Sequence, residues 1–313
     1  ISIVKEMRVN LTRTAFSSII YEGEDFSCVL MSPMGEIVAM PSGQDHPVHI
    51  IPVSWSVKNV NAKYGNDIHP GDVFLHNDPY TGGTHLNDIA MLFPVFAKDE
   101  PFLIPVIRAH WGDVGGMTPG SISGQVTEIY QEGLRIPPMK FRDQWMMNET
   151  LVEMMKINCR IPDILFGDIS AQVAACTVGA RRVGELAGRY GNNQLLTSFA
   201  ELLDRSEKMT RDALRTIPDG VYPYTDYLDN DGVDLEKTVK IQVAVTIDDG
   251  TMHCDFEGTD PQTTGPFNAV PSGSKASAYY AVRALTDASI PTNGGCFRPV
   301  TLSLPEGSLV NPV

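Results

Sequence analysis

The order of hydrophobic patterns along the chain predicts an α+β protein: mixed β-sheets with a helical segment inserted between strand-rich regions. Three observations lead there. Strand-like apolar runs crowd residues 26–110, the apolar period turns helical from 149 to about 215, and alternating segments broken by Asp-Gly turns return after Pro218. Strands, then helices, then strands again lack the regular alternation of parallel βαβ winding. The same breaks divide the chain into an α/β region (1–145), a helical region (146–217) and a β-rich region with one helix (218–313). The chain starts at Ile1 and ends "LPEGSLVNPV" without an obvious stop, so the last region is expected to continue in a longer polypeptide.

Each element has its own local reason. In "IVKEMRVNLTRTAFSSII" the apolar residues Ile3, Met7 and Leu11, and Val4, Leu11 and Ala15, are helically spaced, which predicts one helix stopping near Gly23. "FSCVLMSPMGEIVAMP" reads as a hairpin about a Ser-Pro-Met-Gly turn. "HPVHIIPVSWSVKNVNAKYG" leads into a helix closed by Gly65, and "DVFLHNDPY" is a strand running out into a polar loop. "DIAMLFPVFAKDEPFLIPVIRAHWGD" predicts two strands around "AKDEP", apolar enough to be largely buried. "ETLVEMMKINC", "DISAQVAACTVGARRVGELAGRYG" and "NNQLLTSFAELLDRSEKMTRDALR" are helical; Gly191 is a stop, and the interleaved charges of the last form a solvated face. Beyond them "GVYPYTDYLDNDGVD", "KTVKIQVAVTIDDGTMHCDFEGTD" and "RPVTLSLPEGSLV" read as strands around Asp-Gly turns, with one helix at "SGSKASAYYAVRALTDA".

Composition narrows the function. A net charge of −14 and a pI of about 4.8 leave no basic cluster to displace counterions, so no nucleic-acid partner is expected. No apolar run approaches the ~20 residues of a membrane span, so no membrane partner is expected either. The five cysteines (Cys28, Cys159, Cys176, Cys254 and Cys296) are odd in number and none are spaced Cys-x-x-Cys. That argues against a disulfide framework or zinc knuckle and suits buried thiols in a reducing cytoplasm, the expected location.

The chemistry-bearing residues are concentrated. Of seven histidines (46, 49, 69, 76, 85, 110 and 253), five fall between positions 46 and 85, and His110 follows closely. His85 and Asp88 are three residues apart in "THLND", where the chain enters a strand. If "PVIRAHWGD" is the neighbouring strand, His110 emerges at the same sheet end, with Asp113 repeating the His-x-x-Asp spacing. Two such units give a mixed N/O donor set suited to Zn, Mn or Fe(II). Asp25 in "EDFSC" is a further ligand candidate from a distant turn. The plainer alternative is that His85 and Asp88 cap a turn, His110 donates to a carbonyl, and Asp25 ends a helix. Gly82-Gly83 and Gly115-Gly116 either let backbone approach a ligand or serve as turns. "PGSISGQ" can present amides to an anion. Trp111 either lines the site or packs. No Gly-x-x-x-x-Gly-Lys-Ser/Thr loop and no Gly-x-Ser-x-Gly elbow occurs.

Together "HNDPYTGGTHLNDIAMLFPVF", "RAHWGDVGGMTPGS", "EGLRIPPMK", "GDISAQVAA" and "PTNGGCFRPVTLSLPEGSLVNP" resemble the hydantoinase B family. It includes B-type subunits of N-methylhydantoinases, the corresponding half of 5-oxoprolinase, caprolactamase, and subunits of acetone and acetophenone carboxylases. The motifs run in order from "RTAFSSIIYEGEDFSC" to Asn311. The resemblance implies a hydantoinase B-like fold and the B-type catalytic subunit of an ATP-dependent, metal-containing cyclic-amide hydrolase acting on hydantoin, oxoproline or lactam rings. A hydantoinase A-type ATPase subunit would bind ATP and phosphorylate the small-molecule substrate, making a hetero-oligomer. The missing phosphate loop accords with that division. Three alternatives stand beside it: a subunit of an ATP-dependent ketone carboxylase, a non-catalytic scaffold for an ATPase partner, and a metal-dependent hydrolase acting alone.

The resemblance carries specific roles. His85 and Asp88 match the family's Thr-His-Leu-x-Asp element and His110 its Arg-Ala-His element, which implies that these three hold the metal; Asp25 or Asp113 would complete the shell. Many relatives have a second histidine where this chain has Trp111. In the chemistry expected from these residues, the metal polarises a carbonyl or phosphoryl oxygen or acidifies a water, and Asp113 or His76 moves a proton.

Overall fold

The structure of the protein is a computed structural model, and it describes residues 1–41 and 47–313. His46, one of the clustered histidines, lies outside the described residues. The chain opens with α1 (Ser2–Thr14), whose Val4, Met7 and Leu11 are buried as their spacing predicts. The single helix expected to reach Gly23 is in fact two. Ala15 turns extended, and a short helix α2 (Ser18–Tyr21) restarts after Ser17. The break has a partner distant in sequence. One oxygen of the buried Asp168 carboxylate accepts the backbone N–H groups of Phe16 at 2.7 Å and Ser17 at 3.1 Å. These donors therefore need no helical carbonyl.

β1 (Phe26–Met31) and β2 (Ile37–Ala39) make the expected hairpin, its turn closed by Gly35 at φ +81°. α3 (Ile50–Tyr64) ends at Gly65, and β3 (Val73–His76) follows. β4 (Asp88–Leu92), β5 (Val95–Ala97) and β6 (Glu100–His110) form the buried hairpin, its first arm divided at Pro94. β7 (Met139–Asp143) and β8 (Met146–Met147) are a small hairpin that pattern reading did not find. Its turn residues Gln144 and Trp145 both take positive φ, +47° and +75°, without the usual glycine or asparagine. They are held from outside: Asp72 accepts the Gln144 N–H at 2.8 Å and the Gly71 carbonyl accepts the Trp145 N–H at 3.1 Å.

The inserted helices are α4 (Glu149–Asn158), α5 (Pro162–Tyr190) and α6 (Asn192–Leu214). The interleaved charges of α6 pair in place, Arg211 with Glu207 at 2.8 Å and Lys208 with Asp212 at 3.1 Å. Then come β9 (Gly220–Leu228), β10 (Val239–Asp248), β11 (Thr251–Asp255), α7 (Pro271–Leu285) and β12 (Val300–Ser303). The architecture is α+β, as expected, with two sheets of which the smaller is mixed. The large sheet runs β2-β1-β6-β4-β3-β7-β8, with β5 also on β6, and all its pairings are antiparallel. The small sheet runs β12-β11-β10-β9, with β11 and β12 parallel.

The large sheet is covered on both faces, which explains why its central strands are apolar without a break. One face sends Cys28, Leu30, Ile89, Met91, Ile107 and Ala109 against α1, α4 and α5. The other sends Val29, Met31, Ala90, Leu92, Ile104 and Val106 against α3, α7 and the small sheet. Continuing the second alternation to the strand ends puts Ser27, Asp88, Arg108 and His110 on the α3/α7 side. The five cysteines are free thiols, four of them buried. No helix among the described residues is long and apolar enough to cross a membrane.

Replacing Asp168 by alanine should lower stability by about 2–3 kcal/mol, because it strands two backbone donors in a buried place. Urea denaturation of the purified variant should show the midpoint falling, whereas Asp168→Asn, which keeps an acceptor oxygen, should lose less. Equal losses would mean that the Phe16–Ser17 break is held by something else.

Candidate metal centre

The strand register assembles the site. Asp88, the first residue of β4, stands directly opposite His110, the last residue of β6. On the other flank of β6, Phe26 pairs with Ala109, and the His110 N–H donates to the Asp25 carbonyl at 3.0 Å. His110 thus lies between Asp25 and Asp88 across three neighbouring chain segments. His85 comes from the turn before β4, where its carbonyl accepts the Asp88 N–H at 3.2 Å, so the two side chains are held together locally. One ligand atom each from His85, Asp88 and His110 lie within 4.8 Å of one another.

The two oxygens of Asp88 have different surroundings. Oδ2 accepts from the Thr84 hydroxyl at 2.8 Å, faces His49 Nε2 at 3.3 Å, and lies 3.6 Å from Arg108 Nε. Oδ1 lies 3.2 Å from His85 Nε2 and 3.4 Å from His110 Nδ1, yet is a buried acceptor with no hydrogen-bond partner among the described residues. Asp25 stands at the rim, its Oδ2 3.6 Å from His110 Nδ1 and its Oδ1 3.9 Å from His49 Nε2. A buried acceptor facing two imidazole nitrogens, with a second carboxylate alongside, is a donor set that fits a divalent cation of the Zn, Mn or Fe(II) kind.

Electrostatics keep Asp88 ionised. Burial opposes its charge, but the imidazoles of His49, His110 and His85 packed against it hold its carboxyl well below the usual range. For His85, burial would lower the pKa; the Asp88 contact and charge outweigh it and raise it. His49 is pushed down, burial outweighing Asp88. The Arg108 guanidinium is fully buried beneath the cluster, its Nη2 donating to Thr84 Oγ1 at 2.7 Å.

The structure brings together four of the six candidate residues: His85, Asp88, His110 and Asp25. Asp113 and His76 lie outside the group. Both oxygens of Asp113 are occupied. Oδ1 accepts the N–H groups of Gly115 (2.9 Å) and Arg160 (3.1 Å), and Oδ2 accepts from the Gly120 N–H (3.1 Å) and the Arg160 guanidinium (3.0 Å). Burial would raise its pKa, but these bonds lower it. One of the amides of "PGSISGQ" is thus spent on the chain's own carboxylate. His76 is buried with Nδ1 2.8 Å from Ser56 Oγ and Nε2 2.9 Å from Thr81 Oγ1. Burial first, and then the Arg108 charge, lower its pKa to about 4, far from a proton carrier at neutral pH. Trp111 packs instead of lining the site: its indole N–H donates to Gln172 on α5 at 2.8 Å, on the opposite face of the sheet from His110. The paired glycines serve the backbone. A Cβ on Gly83 would sit 2.2 Å from the Asn77 carbonyl oxygen, and Gly116 needs φ +80°.

Sequence reading missed His49, Arg108, Thr84 and Glu132. His49 arrives from the turn before α3 and touches Ser27 Oγ at 3.1 Å as well as Asp88. Glu132 and His85 line one cavity of about 240 Å³, whose walls include Thr84, Ile129 and Gln262. Burial raises the Glu132 pKa, against the opposing charge of His85.

Known proteins resemble this chain in sequence and in fold. A family model described as Hydantoinase B/oxoprolinase matches residues 1–313. A putative D-/L-hydantoinase of a Pseudomonas species has a B-type subunit that is 35% identical over 326 residues, covering 100% of this chain and 55% of that protein. The crystal structure of an ATP-dependent caprolactamase from Pseudomonas jessenii superimposes with a TM-score of 0.92 at 33% identity, over 99% of this chain and 53% of that one. The nucleotide-free structure of an acetone carboxylase also reaches a TM-score of 0.92, at 19% identity over 99% of this chain and 43% of that one, a likeness of fold. The chain spans about half the length of the first curated relatives it matches.

His76 gives a pH test of the buried network. An unfolded histidine takes up its proton near pH 6.5, whereas the folded one waits until about 4. The unfolded state therefore binds more protons in that window, and stability falls as pH drops through it. Between pH 7 and 5 the native protein should lose roughly 2 kcal/mol from this group. Urea titrations at both pH values should show a smaller loss in His76→Gln; identical losses would contradict the assignment.

Proposed function

Because the chain belongs to the Hydantoinase B/oxoprolinase family, we propose that it is the metal-bearing, B-type catalytic part of an ATP-dependent cyclic-amide hydrolase. Its substrate is a ring that a partner subunit has phosphorylated. The observation that carries this is the convergence of His85 and His110 on the buried Asp88 Oδ1, which has no hydrogen-bond partner among the described residues, with His85 also lining a cavity that holds Glu132. The relatives named hydantoinase and caprolactamase support the cyclic-amide substrate.

His85, Asp88 and His110, with Asp25 at the rim, would hold the cation. A divalent cation there supplies Lewis acidity toward a carbonyl or phosphoryl oxygen. The remaining work belongs to side chains of this chain. Thr84, His49 and Arg108 engage Asp88 Oδ2 and keep Oδ1 turned to the site. Glu132, its pKa raised by burial, retains a proton closer to neutrality than an ordinary glutamate and can give it to a departing ring nitrogen. Asp113 and His76, expected to move protons, act instead by holding the loops behind the site. ATP would be bound by a hydantoinase A-type subunit, since the chain has no phosphate loop of its own, and the complex would be a cytoplasmic hetero-oligomer.

The full-length protein, purified with its partner subunit, should contain one divalent ion per chain by elemental analysis. It should open hydantoin, 5-oxoproline or caprolactam only with ATP. His85→Ala changes a half-exposed side chain and should lower ring opening by about a hundredfold or more, with loss of bound metal. Bicarbonate-dependent consumption of ketones would point to the carboxylase alternative. Full activity of His85→Ala without metal would point to a scaffold, and ring opening without ATP to a lone hydrolase.

A further inference from the structure

The loop that brings His85 to the site also carries an aromatic ring, and many bonds hold that loop in place. Asp78 is buried, and both of its oxygens work on it. Oδ1 accepts the Tyr80 N–H at 3.2 Å and the Arg135 Nε–H at 2.6 Å. Oδ2 accepts from the Thr81 hydroxyl at 2.9 Å and from Arg135 Nη2 at 3.2 Å. The Asp78 carbonyl accepts the Gly83 N–H at 2.8 Å and closes the turn. From outside, Asn59 of α3 donates to the Thr81 carbonyl at 2.6 Å, and the Ser272 hydroxyl of α7 donates to the Gly83 carbonyl. Asn77 donates to the Leu86 carbonyl at 2.7 Å, which ties the two ends of the loop together. Within this frame the Tyr80 side chain is half exposed and lines the same cavity as Thr84, His85 and Glu132. The Arg135 guanidinium lies over its ring, 5.1 Å from the centre.

We propose that Tyr80 is a substrate-contacting residue of this site, its ring packing against the cyclic amide and holding it beside His85. The assignment rests on the function proposed above. A tyrosine whose backbone is clamped and whose ring lies against a guanidinium has little freedom left to lose on binding. The apolar area it buries against a second ring therefore meets little ordering cost. The place of Tyr80 relative to His85 comes from bonds around one loop, so it does not depend on what else closes the cavity. The contact matters most after phosphorylation. A phosphorylated ring that escapes is attacked by water at phosphorus. The bond from phosphorus to the ring oxygen breaks, the intact amide and inorganic phosphate are returned, and ATP is consumed without ring opening.

The test is the ratio of rings opened to ATP consumed. It is measured on the full-length protein with its partner subunit, using whichever of hydantoin, 5-oxoproline or caprolactam the wild type opens. Tyr80→Ala should lower the ratio about tenfold, with bound metal and melting temperature unchanged. Tyr80→Phe, which keeps the ring, should restore most of it. Tyr130→Ala, which removes a more exposed tyrosine two residues from Glu132, should leave it unchanged. An unchanged ratio in Tyr80→Ala, a loss in Tyr80→Phe as large as that in Tyr80→Ala, or a loss accompanied by release of the metal would each overturn the assignment. A wild type that opens no ring would overturn the hydrolase function and this assignment with it. Ring opening by the wild type beside an unaffected Tyr80→Ala would sink the assignment alone.

Discussion

The pairing of Asp88 with His110 across an antiparallel ladder is the constraint on which the rest of the site depends. Side chains alternate along a strand, so a one-residue slip would turn one of the two toward α5 and dissolve the cluster. The register is protected by what lies beyond it. Cys28, Met91 and Ile107 on one face and Val29, Leu92 and Val106 on the other must all find their layers at once. The core thus sets the geometry of the site, because a slip that moved His110 would also exchange the side chains that the two layers are packed around.

Placing an ionised carboxylate in a fully buried position is costly unless its charge is met. Here it is met unevenly. Arg108 lies under Asp88, with Nε and Nη1 lacking hydrogen-bond partners among the described residues, so its attraction is one of charge more than of bonding. Thr84 links the two groups, donating to Asp88 and accepting from Arg108. These contacts all fall on Oδ2. Oδ1 is left toward the solvent-accessible edge, where His85 is half exposed and a cavity begins. One carboxylate thus ties the protein interior to the site where chemistry is proposed.

Much of this was legible in the sequence, and the parts that were not share a physical reason. The strands around "AKDEP" and the Thr-His-Leu-Asn-Asp turn declare themselves by apolar period and local spacing, which puts His85, Asp88, His110 and Asp113 near one sheet end; the resemblance to the hydantoinase B family then singled out the first three. The helix break at Ala15 could not, because the acceptor that causes it, Asp168, lies more than 150 residues away. The β7–β8 turn carries no glycine or asparagine, since Asp72 and Gly71 hold it from outside. His49 was visible only as a member of a histidine group; its place depends on α3 lying across the sheet. Asp113 was misleading because its spacing copies that of Asp88, but the Gly115–Gly120 loop and Arg160 fold around it. Glu132 did have a signal, opening "EGLRIPPMK", yet nothing local ties that segment to His85.

The account predicts a division of labour within one side chain: Asp88 Oδ2 held by the protein, Oδ1 offered to a cation. Anomalous diffraction from Mn-soaked crystals of the full-length protein tests this most directly. One peak should lie about 2.0–2.2 Å from Asp88 Oδ1 and within bonding distance of the His85 and His110 imidazoles. An Mn-free site under saturating metal, or a peak bound through Asp113 or His76 instead, would contradict it.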